Sequence, residues 1–226
     1  MSGRFLIALF SLAFAGLAHA ADVQLGDVKL KLDPPAGECA LDPGQASDKR
    51  MIDFLNTALG NGGIDLLGIN ADCGELRDWR TGRLPLLKHF TQYQIAKTSR
   101  TTSFTLQDAQ AGCAQMKEQG AKLAGDSTTS ANDSIHKAND KIDFQGQTFL
   151  GVMADDPNGC YVGLFQKYKA ENGTNVSQLN VFFMGSLKGR AVNFYLWGPH
   201  ENDSSVATML ATVQAHIAKV KSANGL

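Results

Sequence analysis

The sequence predicts an α+β fold: an antiparallel sheet with a C-terminal four-stranded meander, flanked by helices. The first supporting observation is a set of four β-rich runs, at 148–154, 161–169, 179–186 and 191–197. They are separated by Asp156-Pro157-Asn158-Gly159, Glu171-Asn172-Gly173 and Lys188-Gly189, connections so short that the strands they join must be antiparallel neighbours. The second is a terminal stripe of Val206, Met209, Leu210, Val213, Ile217 and Val220 at helical spacing, with Asp203 or Ser204 as cap. The third is that the upstream segments alternate between a period of two and steps of three and four.

In chain order, Arg4 and the apolar run 5–18 lead to Ala18-His19-Ala20, the pattern of a secretory signal cleaved after Ala20. The 14 residues of that run are fewer than the roughly 17 a spanning helix needs. The expected organisation is a signal peptide at 1–20 and a single α+β domain at 21–226, periplasmic or secreted, with no integral membrane segment after cleavage. The polar stretch 124–141 is the only candidate seam.

Val28, Leu30 and Leu32 alternate with Lys29 and Lys31, which predicts a strand ended by Pro34-Pro35. Met51, Ile52, Leu55, Ala58 and Leu59 predict an amphipathic helix over 47–59, with Ser47 as N-cap and Gly60 past its end. The apolar run 64–71 reads as a buried strand. Asp72 then caps a short helix with Leu76 and Trp79 on one face and Gly82 at the exit. Tyr93, Ile95 and Lys97 share one parity of a strand over 92–99. Thr105 and Asp108 have capping spacing, and Leu106, Ala109, Cys113 and Met116 form the apolar face of a helix that Gly120 closes.

The even set Cys39, Cys73, Cys113 and Cys160 in an exported chain points to two disulfides. Of three connectivities, Cys39 with Cys73 and Cys113 with Cys160 is expected, because each closes an intermediate loop between neighbouring elements. Cys113 on an apolar helix face suits a partner on the strand beneath it. No CxxC pair or Cys/His cluster with zinc spacing occurs.

With 21 Lys and Arg against 22 Asp and Glu, scattered rather than striped, the chain lacks the electrostatic footprint of nucleic-acid binding. A nucleophile elbow, HExxH and a phosphate-cradling glycine loop are all absent from the sequence, so no catalytic or cofactor residue is assigned. Gly185-Ser186-Leu187-Lys188-Gly189 reads as a hairpin turn. His89, His136, His200 and His216 are too widely spaced for a helical metal pair and read as surface or boundary residues.

The binding candidates are Tyr195, Trp197 and His200 at the entry to the last helix, and Asp155 and Asp156 with Asn158, which offer oxygens to a cation or suit a tight turn. Asp126, Asp133 and Asp140 recur every seven residues, but carboxylates two helical turns apart do not share an ion.

The run Gly189-Arg190-Ala191-Val192-Asn193-Phe194-Tyr195-Leu196-Trp197-Gly198-Pro199, with Pro35-Ala36-Gly37-Glu38-Cys39-Ala40-Leu41 and Ala71-Asp72-Cys73-Gly74-Glu75-Leu76, resembles uncharacterised exported bacterial proteins with a PsbP-like fold. That resemblance implies an α/β/α sandwich and a binding or accessory module, and no functional residue transfers with it. The leading expectation is a non-enzymatic module engaging a protein or cell-envelope component. The alternatives are a hydrolase using dispersed carboxylates such as Asp72, Glu75, Asp155 and Asp156, and a metal-binding protein.

Overall fold

The computed structural model describes residues 21–170, 172–202 and 204–226. The expected signal peptide, Glu171 of one expected turn and Asp203 of the expected cap lie outside them. Among the described residues the elements run β1 (Ala21–Leu25), β2 (Val28–Leu32), β3 (Glu38–Ala40), α1 (Ala46–Asn61), β4 (Ile64–Asp72), α2 (Cys73–Arg80), β5 (Phe90–Ala96), α3 (Leu106–Ala138), β6 (Asp143–Asp156), β7 (Gly159–Lys169), β8 (Asn175–Leu187), β9 (Arg190–Pro199) and α4 (Ser205–Ala223). A seven-stranded sheet has the order β3-β4-β5-β9-β8-β7-β6, with every neighbouring pair antiparallel. β1 and β2 form a separate hairpin.

The α+β class and the C-terminal meander are as the turn spacing predicts. At the β8–β9 turn, Lys188 (φ 48°) and Gly189 (φ 75°) both take positive φ, the requirement of a two-residue hairpin whose twist matches its strands. Period-two burial then sorts side chains to two faces. On one, Tyr93, Ile95, Val181, Phe183, Val192 and Phe194 pack under α4 and the β1–β2 hairpin. On the other, Phe182 and Val162 meet α3, while Ile69, Ala71 and Phe90 meet Met51, Ile52 and Leu55 of α1. Phe183 and Phe194 are 0% and 1% exposed, so each contributes on the order of 2–3 kcal/mol of apolar burial.

Both disulfides form as paired above, Cys39 with Cys73 and Cys113 with Cys160. The second joins α3 to β7 beneath it. Thr105 and Asp108 make the reciprocal capping box, and Asp72 accepts from the Gly74 and Glu75 amides.

Three local expectations are corrected. Gly120 does not close a helix: α3 runs on to Ala138, because the missing side chain lets Phe149 of β6 lie against the helix, where a Cβ would stand 2.4 Å from the ring. The polar stretch beyond it is held along β6, with Gln147 Nε2 donating to the Ala124 carbonyl and the Phe144 amide to Asn132 Oδ1. Asp126 and Asp133 therefore lie on α3, and Asp140 falls past its end.

The cap of α1 is Gln45 rather than Ser47, and the helix extends through Gly60 to Asn61. Its first turn is organised instead by Asp48, which is fully buried, accepts from the Asp42 amide and pairs with Arg80 at 2.5 Å. β5 ends at Ala96, and Lys97 opens a 3-10 turn from which its ammonium reaches the Gly60 carbonyl. Among the described residues no helix is long and apolar enough to cross a membrane.

Candidate functional site

The acidic pair at the β6–β7 turn is spent on the protein itself. Asp155 pairs with Lys117 of α3 at 2.8 Å. Asp156 pairs with Lys221 of α4, and accepts from the Tyr161 hydroxyl at 3.0 Å and the Asn158 amide at 2.8 Å. Burial works against ionisation of Asp156, but Lys221 and these donors outweigh it and hold the carboxyl below its ordinary range. No group of three or more His, Cys, Asp or Glu among the described residues is arranged to hold a metal.

The dispersed carboxylates do not converge either. Asp72 lies on β4 and Asp156 on β6, five strand steps apart, or about 24 Å at the usual inter-strand spacing. The structure thus removes Asp72, Glu75, Asp155 and Asp156 as one catalytic set.

Tyr195 and Trp197 belong to an aromatic row on the face packed by α1 and α3. Tyr195 stacks on Phe182 with centroids 4.8 Å apart, and Trp197 on Phe90 at 5.6 Å. His200 stands apart, edge-on to Phe165 at 6.0 Å. Tyr195 and His200 line neither of the two clefts described next. The segment carrying Trp197 borders one of them.

One cleft, of about 410 Å³, is lined by 84–88, 175–178 and Pro199, mostly with apolar and amide groups. The other, of about 360 Å³, opens between β3, the end of β9 and the start of α4, and gathers titratable groups. Chemistry, rather than size, makes the second the candidate site.

Strand register builds this site. Glu38 of β3 stands opposite Asp72 of β4, and Asn70 opposite Thr91 of β5, so all four project from one face. Asn70 and Thr91 are buried; the Asn70 amide donates to Thr91 Oγ1 at 3.1 Å, and the Thr91 hydroxyl donates to Glu38 Oε2. Burial raises the Glu38 carboxyl to about 7; the Thr91 hydrogen bond pulls against that, Asp72 adds to it, and His89 opposes it.

His89 is placed by α2. Its Nδ1 lies 2.6 Å from Glu75 Oε1, while Glu75 Oε2 accepts from the Lys88 and His89 amides at 2.8 and 3.0 Å. Burial disfavours the Glu75 anion, but His89 and the two amides keep the carboxyl below its ordinary value. The other side of the imidazole rests beside Gly198 of β9. From α4 come Ser205, Thr208, Met209 and Thr212, and from the preceding loop Glu201 and Asn202. The described lining holds three carboxylates, Glu38, Asp72 and Glu201, with His89 and no Lys or Arg.

Sequence reading misses Glu38, Asn70 and Thr91 and takes His89 for an ordinary surface histidine. Only Asn70, a polar residue inside the apolar run 64–71, offers a local signal. The rest is assembled by strand register. No family model matches the chain, and no curated protein or solved structure matches it.

Proposed function

We propose that this chain is an exported binding module whose cleft between β3, β9 and α4 accepts a ligand bearing an ammonium group. The observation that carries this is the lining itself: three carboxylates and a histidine over an apolar floor of Leu196, Pro199 and Met209, with no Lys or Arg among the described lining residues. A cation bound there supplies the charge that Glu38 lacks, and the desolvated surroundings strengthen its attraction. The site needs no chemistry beyond binding. Export is supported by the signal pattern at 1–20 and by two disulfides, bonds that persist in oxidising compartments. The PsbP-like resemblance points to the same accessory role.

The test is calorimetric titration with putrescine and with lysine amide, using acetate as a control, in buffers of different ionisation enthalpy. Because burial raises the Glu38 carboxyl to about 7, binding of an ammonium group is expected to draw a proton off it, giving net proton release near neutral pH. Glu38→Gln should abolish that release and weaken binding roughly tenfold or more. Equal affinity for acetate, or an unaltered Glu38→Gln variant, overturns the reading.

A second reading rests on the same geometry: a carboxyl raised to about 7 and an imidazole oriented by Glu75 also suit acid–base catalysis. Turnover of an envelope substrate that is lost in both Glu38→Gln and His89→Gln would favour it.

A further inference from the structure

The two disulfides differ in access. Cys113 and Cys160 are 4% and 0% exposed, enclosed between α3 and the sheet. Cys39 is exposed on β3, and Cys73 is half-buried at the first position of α2. Neither cysteine lines the cleft, but each directly follows a residue that does. Glu38 precedes Cys39, Asp72 precedes Cys73, and the two carboxylates are register partners that line it. β3 is an edge strand that pairs over three residues with a single neighbour. Beyond that ladder its backbone is held by bonds from the Glu38 amide to Pro35, the Leu41 amide to Ile69 and the Cys73 amide to Gly37.

We propose that Cys39–Cys73 is a reversible thiol–disulfide exchange site for a dithiol reductant, and that its redox state controls the cleft by holding or releasing Glu38. The second half of this rests on the binding reading of the cleft; the first does not. An incoming thiolate attacks Sγ of Cys39, the more exposed of the two residues. A mixed disulfide forms as the Cys39–Cys73 bond breaks, and Cys73 leaves as a thiolate. The reductant's second thiol, deprotonated by solvent, then attacks its own sulfur in the mixed disulfide and expels Cys39. Two electrons pass from the dithiol, which departs as a disulfide, and the two protein thiolates take up protons from solvent. The first-turn amides of α2 favour a Cys73 thiolate, but the Asp72 carboxylate that caps them opposes it, so access at Cys39 sets the selectivity. Once the bond opens, Glu38 sits on a three-residue edge strand without its covalent tie to α2.

The test uses the full, folded, oxidised chain, incubated with graded dithiothreitol, quenched with iodoacetamide and mapped by mass spectrometry. Cys39 and Cys73 should be alkylated together at reductant concentrations roughly tenfold or more below those that modify Cys113 and Cys160. Simultaneous modification of all four, earlier modification of Cys113 and Cys160, or resistance of all four until the chain unfolds overturns the exchange site. Hydrogen exchange on the selectively reduced protein then reads the cleft: amides of 37–41 should exchange roughly tenfold faster, with α3 and β7 unchanged. Unchanged exchange at 37–41 overturns control of the cleft. Neither measurement involves a ligand, so failure of amines to bind is distinguishable from failure of the redox site.

Discussion

Glu38 illustrates how a single side chain answers to its surroundings rather than to its type. On a short edge strand a glutamate is ordinarily solvated and ionised. Here burial, with Asp72 opposite, lifts its carboxyl to about 7 despite the Thr91 hydrogen bond. Between the ordinary glutamate range and about 7 the native state therefore holds a proton that the unfolded chain has released, so this group's contribution to stability falls as pH rises through that window. Glu38→Gln is expected to be close to neutral near pH 4.5 and to stabilise on the order of 1–3 kcal/mol at pH 8, measured by denaturant unfolding at both pH values. A variant equally stable relative to the parent at both would show that the carboxyl is solvated after all.

At the scale of elements, glycine carries opposite meanings in one chain. Gly189 provides the turn that its local sequence suggests, whereas Gly120 sits inside α3 because the ring of Phe149 occupies the space of a side chain. An alanine at 120 gains about 1 kcal/mol of helix propensity but forces the ring away, at roughly 1–3 kcal/mol. Gly120→Ala should accordingly lower stability by about 1 kcal/mol, and Phe149→Leu in the same chain should recover part of that loss in a double-mutant cycle. An unchanged or higher melting temperature for Gly120→Ala would mean that the helix and β6 separate without cost. The stop predicted at Gly120 fails because the packing that overrides it comes from a strand 29 residues further along. No local window contains both partners.

Across the whole molecule, the sheet is clamped between two layers by different bonds. Cys113–Cys160 ties α3 to one face. On the other, His216 of α4 meets Tyr93 of β5, with 2.5 Å between Nε2 and the hydroxyl. The same hydroxyl donates to the Asp33 carbonyl, so an imidazole protonated at Nε2 and donating to Tyr93 satisfies both contacts. Burial, with a further contribution from Lys219, lowers His216 to about 4. As pH falls from about 6.5 towards 4, the unfolded chain gains a proton that the folded one refuses, and stability is lost by up to about 3 kcal/mol. His216→Gln should flatten that acid limb in urea titrations at pH 4.5, 5.5 and 7; an unchanged slope would show that His216 is protonated in the folded state. Because Glu38 acts with the opposite sign over much of the same range, each variant should expose the other's contribution.

What the sequence by itself determined is what neighbours along the chain decide: the strand and helix periods, the short turns that force an antiparallel meander, the capping box at Thr105 and two disulfides with one pairing preferred among three, which the structure then fixed. What only the tertiary structure decided is whatever depends on distant segments meeting. Asp155 and Asp156, whose residue types suit either a cation site or a tight turn, sit at the β6–β7 turn paired with Lys117 and Lys221 from two distant helices. Tyr195 and Trp197 stack within an aromatic row on the sheet face, and Trp197 also borders the candidate cleft. The candidate site draws Glu38, Asp72, His89 and Glu201 from four separate segments. Hydrophobic periodicity is a property of ten residues at a time, whereas desolvating a carboxyl needs walls that arrive from across the chain.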